Sequence, residues 1–225
     1  MKKRKKKAGG KEKGFTFLEI LIVSFILPLL FLSIYSVLDA ANVIFHTNNV
    51  FAELNRDAMQ TLRYVSREIG QTSPNVSPAR LTIAADVNNN SVVTFQIPVD
   101  CDNDGDAVDD EGASCVQDAD TRPDAEWGAY SEIGQTQDGN LDFWTRYSVS
   151  NGQLIREVLD DDLNEVQGLS RVVANNVETF TAVQAQNTLT LTVTLIKTNA
   201  IGQMGGARDY QTSFSSSTIL RNAVA

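Results

Sequence analysis

The sequence predicts an α+β fold in which one long N-terminal helix packs on antiparallel β-sheet. Three observations carry this. Phe15–Leu38 is a 24-residue apolar run whose only charged side chain is Glu19. Apolar residues then recur at helical spacing as far as Ile69. Beyond residue 78 the pattern changes to short alternating segments joined by turn residues.

The apolar run is long enough to cross a hydrocarbon core of about 30 Å. Its continuation places Phe51, Leu54, Ala58, Leu62, Val65 and Ile69 three or four residues apart, which makes one stripe on a helix. Glu53, Asn55, Arg56, Asp57, Arg63, Arg67 and Glu68 fall between them and predict a polar outer face. Gly70 and Pro74 supply a stop. A helix over residues 15–70 would measure roughly 80 Å at 1.5 Å per residue. Pro28 removes one hydrogen bond inside it and predicts a kink or a loosened turn.

Three hairpins are expected after the helix. Arg80–Ala85 and Ser91–Val99 flank the turn Asn88-Asn89-Asn90. Leu141–Ser150 and Gln153–Leu159 flank Asn151-Gly152, a strong short-range hairpin signal. Val177–Gln184 precedes Thr188–Thr198, where Leu and Thr alternate as in a strand with one buried face. A last strand is expected over Tyr210–Leu220, and Asp160–Asn175 reads as a turn or short helix. Tight hairpins imply antiparallel sheet, and the helix stripe is the natural cover for its apolar face.

Charge divides the chain sharply. Residues 1–13 carry eight Lys or Arg against one Glu, about +7, within a total of −9, which leaves about −16 on the remainder. A basic run directly before an apolar span predicts a cytoplasmic N-terminus. Nucleic acid is excluded as a partner, since the acidic remainder would repel phosphate. No small-residue cleavage site follows the apolar run, so it is expected to stay attached rather than leave as a secretory signal. Cys101 and Cys115 are the two cysteines, an even count that in an exported domain favours one disulfide. Closing that 15-residue loop would contribute about 3 kcal/mol; two free thiols are the alternative.

A carboxylate at the bilayer centre costs about 2.5–3.5 kcal/mol, so Glu19 needs a partner. No basic side chain exists in the run. A cut between Gly14 and Phe15 would create an α-amino group four residues ahead of Glu19, largely protonated near neutral pH. Lys13-Gly14-Phe15-Thr16-Phe17-Leu18-Glu19 resembles the class III signal of type IV pilins and type II secretion pseudopilins. The resemblance implies cleavage after Gly14 by a prepilin peptidase, N-methylation of Phe15, and pairing of Glu19 with the N-terminal amine of a neighbouring subunit. It also implies a pilin-like fold, sibling pilin or pseudopilin subunits as partners, and an inner-membrane assembly platform. Leu62–Gln71, Val173–Phe180 and Thr218–Asn222 resemble the W-type minor pilins and J-type minor pseudopilins. Pro28 departs from the commoner position of a helix proline in that family.

Asp100–Glu111 (DCDNDGDAVDDE) has oxygen donors at positions 1, 3 and 5, glycine at 6 and glutamate at 12, the spacing of an EF-hand calcium loop. Asp100, Asp102, Asp104, Asp106 and Glu111 are the expected Ca²⁺ ligands. The loop holds no histidine, and hard oxygens favour Ca²⁺ over Zn²⁺. Val108 offers no oxygen at position 9, and a merely solvated acidic loop is the alternative.

The expected organisation is a cleaved basic leader (1–14), a membrane and assembly helix (15–38), its amphipathic continuation (39–72), and a β-rich periplasmic or extracellular head (73–225). The expected function is that of a structural filament subunit, not an enzyme. A ligand-binding or adhesive head carried on such a filament is the rival reading. A membrane-anchored enzyme is disfavoured, because the only histidine, His46, has no evident partners.

Overall fold

A computed structural model describes residues 14–72, 79–98, 127–128, 143–160, 162–200 and 207–220. The chain divides into two units, residues 1–47 and 48–225.

In the first unit the described chain is helical from Phe17 onward, as part of α1 (Phe17–Ile69). The helix is long and apolar enough to cross a membrane, with a mean hydropathy of 2.6 over its most apolar window. Its first thirty residues are exposed almost throughout, as expected of a surface greasy on every side. α1 continues through Pro28 as one helix. Hydroxyls on either side, Ser24 and Ser33, donate back to the carbonyls of Leu21 and Leu29 at 2.9 and 2.8 Å.

The second unit contains the remainder of α1 and all the strands. Leu54, Ala58, Leu62, Val65 and Ile69 are buried as their spacing predicts, and Val50 joins them. Burying such side chains stabilises by about 1.5–3 kcal/mol each for the larger ones, far more than helix propensity supplies. Phe51 lies at the margin of the stripe, edge-on to Tyr210 with ring centroids 5.4 Å apart.

The strands are β1 (Leu81–Ala85), β2 (Ser91–Phe95), β3 (Ile97–Pro98), β4 (Trp127–Gly128), β5 (Trp144–Ser150), β6 (Gln153–Leu159), β7 (Arg171–Asn175), β8 (Val177–Ala185), β9 (Thr188–Ala200) and β10 (Ala207–Ile219). They form a five-stranded sheet in the order β1-β2-β5-β6-β7, a three-stranded sheet β10-β9-β8 and the pair β3-β4. Every pairing is antiparallel. All three expected hairpins form, and Asn151 and Gly152 both take positive φ (50° and 72°), as a type I′ turn requires.

Two expectations need correction. Residues 171–175 form a strand, not a turn or helix; turns do precede it, with the Leu163 amide donating to the Asp160 carbonyl and the Leu169 amide to the Val166 carbonyl, and Gly168 takes positive φ (86°) in the second. The expected strand Ser91–Val99 breaks at Gln96, whose amide donates to the Arg80 carbonyl, and Pro98 sits in the two-residue β3. Proline cannot donate to a ladder and is confined to such margins.

Two side chains join the sheets. Asn90 Oδ1 accepts the Phe180 amide at 3.0 Å, and Ser91 Oγ accepts the Ala182 amide at 2.9 Å. The start of β2 thereby caps the outer edge of β8.

Candidate assembly end and a buried anchor

Within the first unit, Gly14 and Phe15 precede α1 as irregular backbone. Phe15 is 82% exposed, and nothing lies within 4 Å of a Cβ placed on Gly14. Glu19 stands in the first turn. Its Oε2 accepts the Thr16 amide at 2.8 Å and the Thr16 hydroxyl at 3.0 Å, while its own amide faces Thr16 Oγ1 at 3.3 Å. This reciprocal arrangement is a capping box, which satisfies amides that a helix start leaves unpaired. The T-x-x-E signature was present at residues 16–19, but attention to charge alone passes over it. Among the described residues the partner of Glu19 is therefore Thr16.

The calcium ligands expected at Asp100, Asp102, Asp104, Asp106 and Glu111, and the disulfide expected between Cys101 and Cys115, lie outside the described residues.

Within the second unit the structure assembles a set of charged residues that the sequence pattern did not reveal. Glu68, expected on the polar outer face, is 7% exposed and points into the five-stranded sheet. Arg156 is wholly buried, and its Nη2 and Nε donate to Glu68 Oε1 at 2.6 and 2.9 Å. The Tyr147 hydroxyl, also buried, donates to Glu68 Oε2. Burial, with the Glu68 carboxylate beside it, pushes the Tyr147 phenol far up, so it remains a donor at any physiological pH. The Tyr147 ring stacks on Phe95, with centroids 6.0 Å apart and planes 6° from parallel. Thr145 Oγ1 accepts from Arg156 Nη2 at 3.5 Å.

Signals for this set did exist. Arg156 shares its strand parity with Leu154 and Val158, both fully buried, so a guanidinium had to enter the core. Glu68 follows Val65 by three and precedes Ile69, which places it on the margin of the buried stripe. A buried arginine demands a carboxylate, and Glu68 is the one that α1 presents at that level.

A second buried polar group lies nearby. Arg80 Nη1 donates to Gln96 Oε1 at 2.6 Å, and Thr72 Oγ1 donates to the Arg80 carbonyl at 3.1 Å. These bonds fix the chain just beyond α1 to the start of β1. An open groove of about 420 Å³ between the helix and β7 is lined by Asp57, Tyr64 and Arg171 among others, with the Arg171 guanidinium 5.0 Å over the Tyr64 ring.

The chain was compared with family models, curated proteins and solved structures, and none matches. The layout, a long N-terminal apolar helix with antiparallel sheets, is type IV pilin-like.

Proposed function

We propose that the chain is a minor pilin or pseudopilin, a structural subunit that enters a type IV pilus or type II secretion pseudopilus through α1, at or near the filament tip. The observation that carries this reading is the start of α1: an apolar helix exposed on every side, with one carboxylate in its first turn and the Gly14-Phe15 pair just ahead of it. A helix without polar faces needs lipid or other helices around it. In the precursor, the basic residues 1–13 hold the N-terminus in the cytoplasm and α1 anchors the chain in the inner membrane.

Prepilin peptidase then removes residues 1–14 and methylates Phe15. The new amine offers Glu19 a charged partner in place of the neutral Thr16 groups, either in the same chain or in a neighbouring subunit. The charge-assisted bond is the stronger one. Processing thus converts a membrane anchor into an assembly element, which the inner-membrane platform inserts among sibling subunits. On this reading Asp100, Asp102, Asp104, Asp106 and Glu111 hold Ca²⁺ in the exported head, with Cys101 and Cys115 bridged across the loop.

Intact-mass and N-terminal analysis of the chain co-expressed with prepilin peptidase tests the reading. The expected product begins at an N-methylated Phe15; a chain left uncut by an active peptidase overturns it. Glu19→Val should still be inserted and cleaved but be lost from sheared filaments. For the loop, excess Ca²⁺ should raise the melting temperature of the oxidised chain, and an unchanged temperature removes the metal from the proposal.

A further inference from the structure

Two sheets present four outer strands, and three of their edges are blunted. β1 has five residues. β7 also has five, and its pairing with β6 shifts register at Leu154/Ile155. β8 is capped by Asn90 and Ser91. β10 differs. It runs for 13 residues in unbroken register with β9, without proline, glycine, lysine or bulge, and no described strand pairs with its other side. Proteins ordinarily protect such an edge, because a row of open amides and carbonyls is a template for another strand.

The direction of those groups follows from the register. The Phe180 and Ala182 amides point away from β9, toward Asn90 and Ser91. Phe180 is opposite Val193, so the backbone groups of Val193 point toward β10 and pair with Phe214. The even-numbered residues of β10 are therefore bonded to β9. Gln211, Ser213, Ser215 and Ser217 turn their amides and carbonyls outward.

Their side chains continue an ordered pattern. Ser213, Ser215 and Ser217 pair with Thr194, Thr192 and Thr190 at 3.3, 3.2 and 2.9 Å. On the opposite face, Leu189, Leu191, Val193 and Leu195 of β9 are buried, and Phe214 of β10 is only half-buried. An added strand with hydroxyl residues on one face and apolar residues on the other would extend both rows.

We propose that the outer edge of β10 takes up an extended β-strand of a partner polypeptide, in which apolar residues alternate with Ser or Thr, as a fourth strand of the β10-β9-β8 sheet. Only an extended backbone matches alternating amides and carbonyls along this length, which identifies the occupant as a strand. A second copy fits poorly. β10 runs in the same sense as α1, with Tyr210 against Phe51 and Thr212 Oγ1 3.2 Å from Asn55 Oδ1, while Ser216 and Thr218 approach Ser66 and Gly70. Paired antiparallel, a second β10 would bring Thr212, Ser216 and Thr218 to the row that Leu189, Leu191, Val193 and Leu195 make apolar. A parallel copy would form the less stable ladder.

The test is hydrogen exchange on the full chain in detergent micelles, with a synthetic peptide of residues 188–198 (TLTLTVTLIKT) as the strand probe and a scrambled peptide as control. The probe should slow exchange at Gln211, Ser213, Ser215 and Ser217 by about tenfold or more, and the scrambled peptide should not. Ser215→Pro removes one outward amide without touching the β9 ladder and should abolish the protection, whereas Ser215→Ala should keep it. No slowing at these four amides, or equal slowing along even-numbered positions, overturns the proposal whether or not the proline variant folds. A concentration-dependent dimer that protects the same amides without peptide also overturns it, in favour of self-pairing. Flotation with lipid vesicles reports separately on the anchor: its failure with peptide protection intact sinks the membrane reading and leaves the strand site standing.

Discussion

α1 carries a carboxylate near each end, and the two are held by opposite means. Glu19, in the apolar half, is bound by Thr16 three residues away, at an exposed helix start. Glu68, in the amphipathic half, is bound by Arg156 from 88 residues away, in a closed core. The first arrangement is complete as soon as one turn forms. The second exists only when helix and sheet have come together. An exposed, local contact such as that of Glu19 is released at small cost. An acid that fixes a domain sits where release is expensive.

The sharpest way to break the comparison is to remove Glu68. Glu68→Ala leaves the Arg156 guanidinium buried without its carboxylate and should destabilise the chain by about 3–5 kcal/mol, read from urea unfolding in micelles. Replacing both partners, Glu68→Leu with Arg156→Met, should recover most of that loss, because apolar groups of similar volume substitute well for a buried pair. If the double variant is as unstable as the single one, the pair has a role beyond mutual neutralisation.

Gly70→Ala tests how closely the helix end is seated. A Cβ there would lie 2.7 Å from the Ser66 carbonyl oxygen and 2.9 Å from Thr218 Oγ1. The resulting shift should cost about 1–3 kcal/mol in the same unfolding measurement. At the other end, Thr16→Val removes the capping hydroxyl and should cost about 1 kcal/mol. That loss should be local: faster exchange of the first-turn amides, with the unfolding midpoint of the second unit unchanged.

The smallest effect belongs to an exposed pair. Lys197 Nζ donates to Glu53 Oε2 at 2.7 Å and holds the Glu53 carboxyl below its ordinary value of 4.5, through the hydrogen bond first and charge second. A lowered folded-state pKa stabilises above the unfolded value, and that contribution disappears as pH falls through the folded one. Wild type and Glu53→Gln should therefore differ slightly at pH 6 and converge as the pH falls through the lowered folded-state pKa of Glu53, in thermal melts at low salt where such pairs are least screened.

These contrasts also explain what could be read in advance. The helix, the three hairpins and the last strand were legible because each depends on local periodicity and turn chemistry: the 3.6-residue stripe to Ile69, the Asn151-Gly152 turn, the Leu-Thr alternation of β9. β7 was missed because a five-residue strand carries little periodicity of its own and is held by β6. Glu68 was misplaced because charge outweighed position: three residues past Val65, it belonged to the stripe's margin. Its partner could have been named only by placing Arg156 inside the sheet first. Thr16 was legible and needed only the capping rule.

The order of synthesis gives the β10 contact with α1 a temporal meaning. The helix stripe ends at Ile69 and its last described cover, β10, ends at Ile219, 150 residues later. At roughly 5–20 residues per second, that is on the order of ten to thirty seconds of elongation. Throughout that interval Phe51 lacks Tyr210 and Glu68 first lacks Arg156, so the nascent chain carries an open apolar stripe directly after a long apolar segment. Shielding by a chaperone matters most in that window, and truncations that stop short of Tyr210 should be cleared by proteolysis even though α1 is complete.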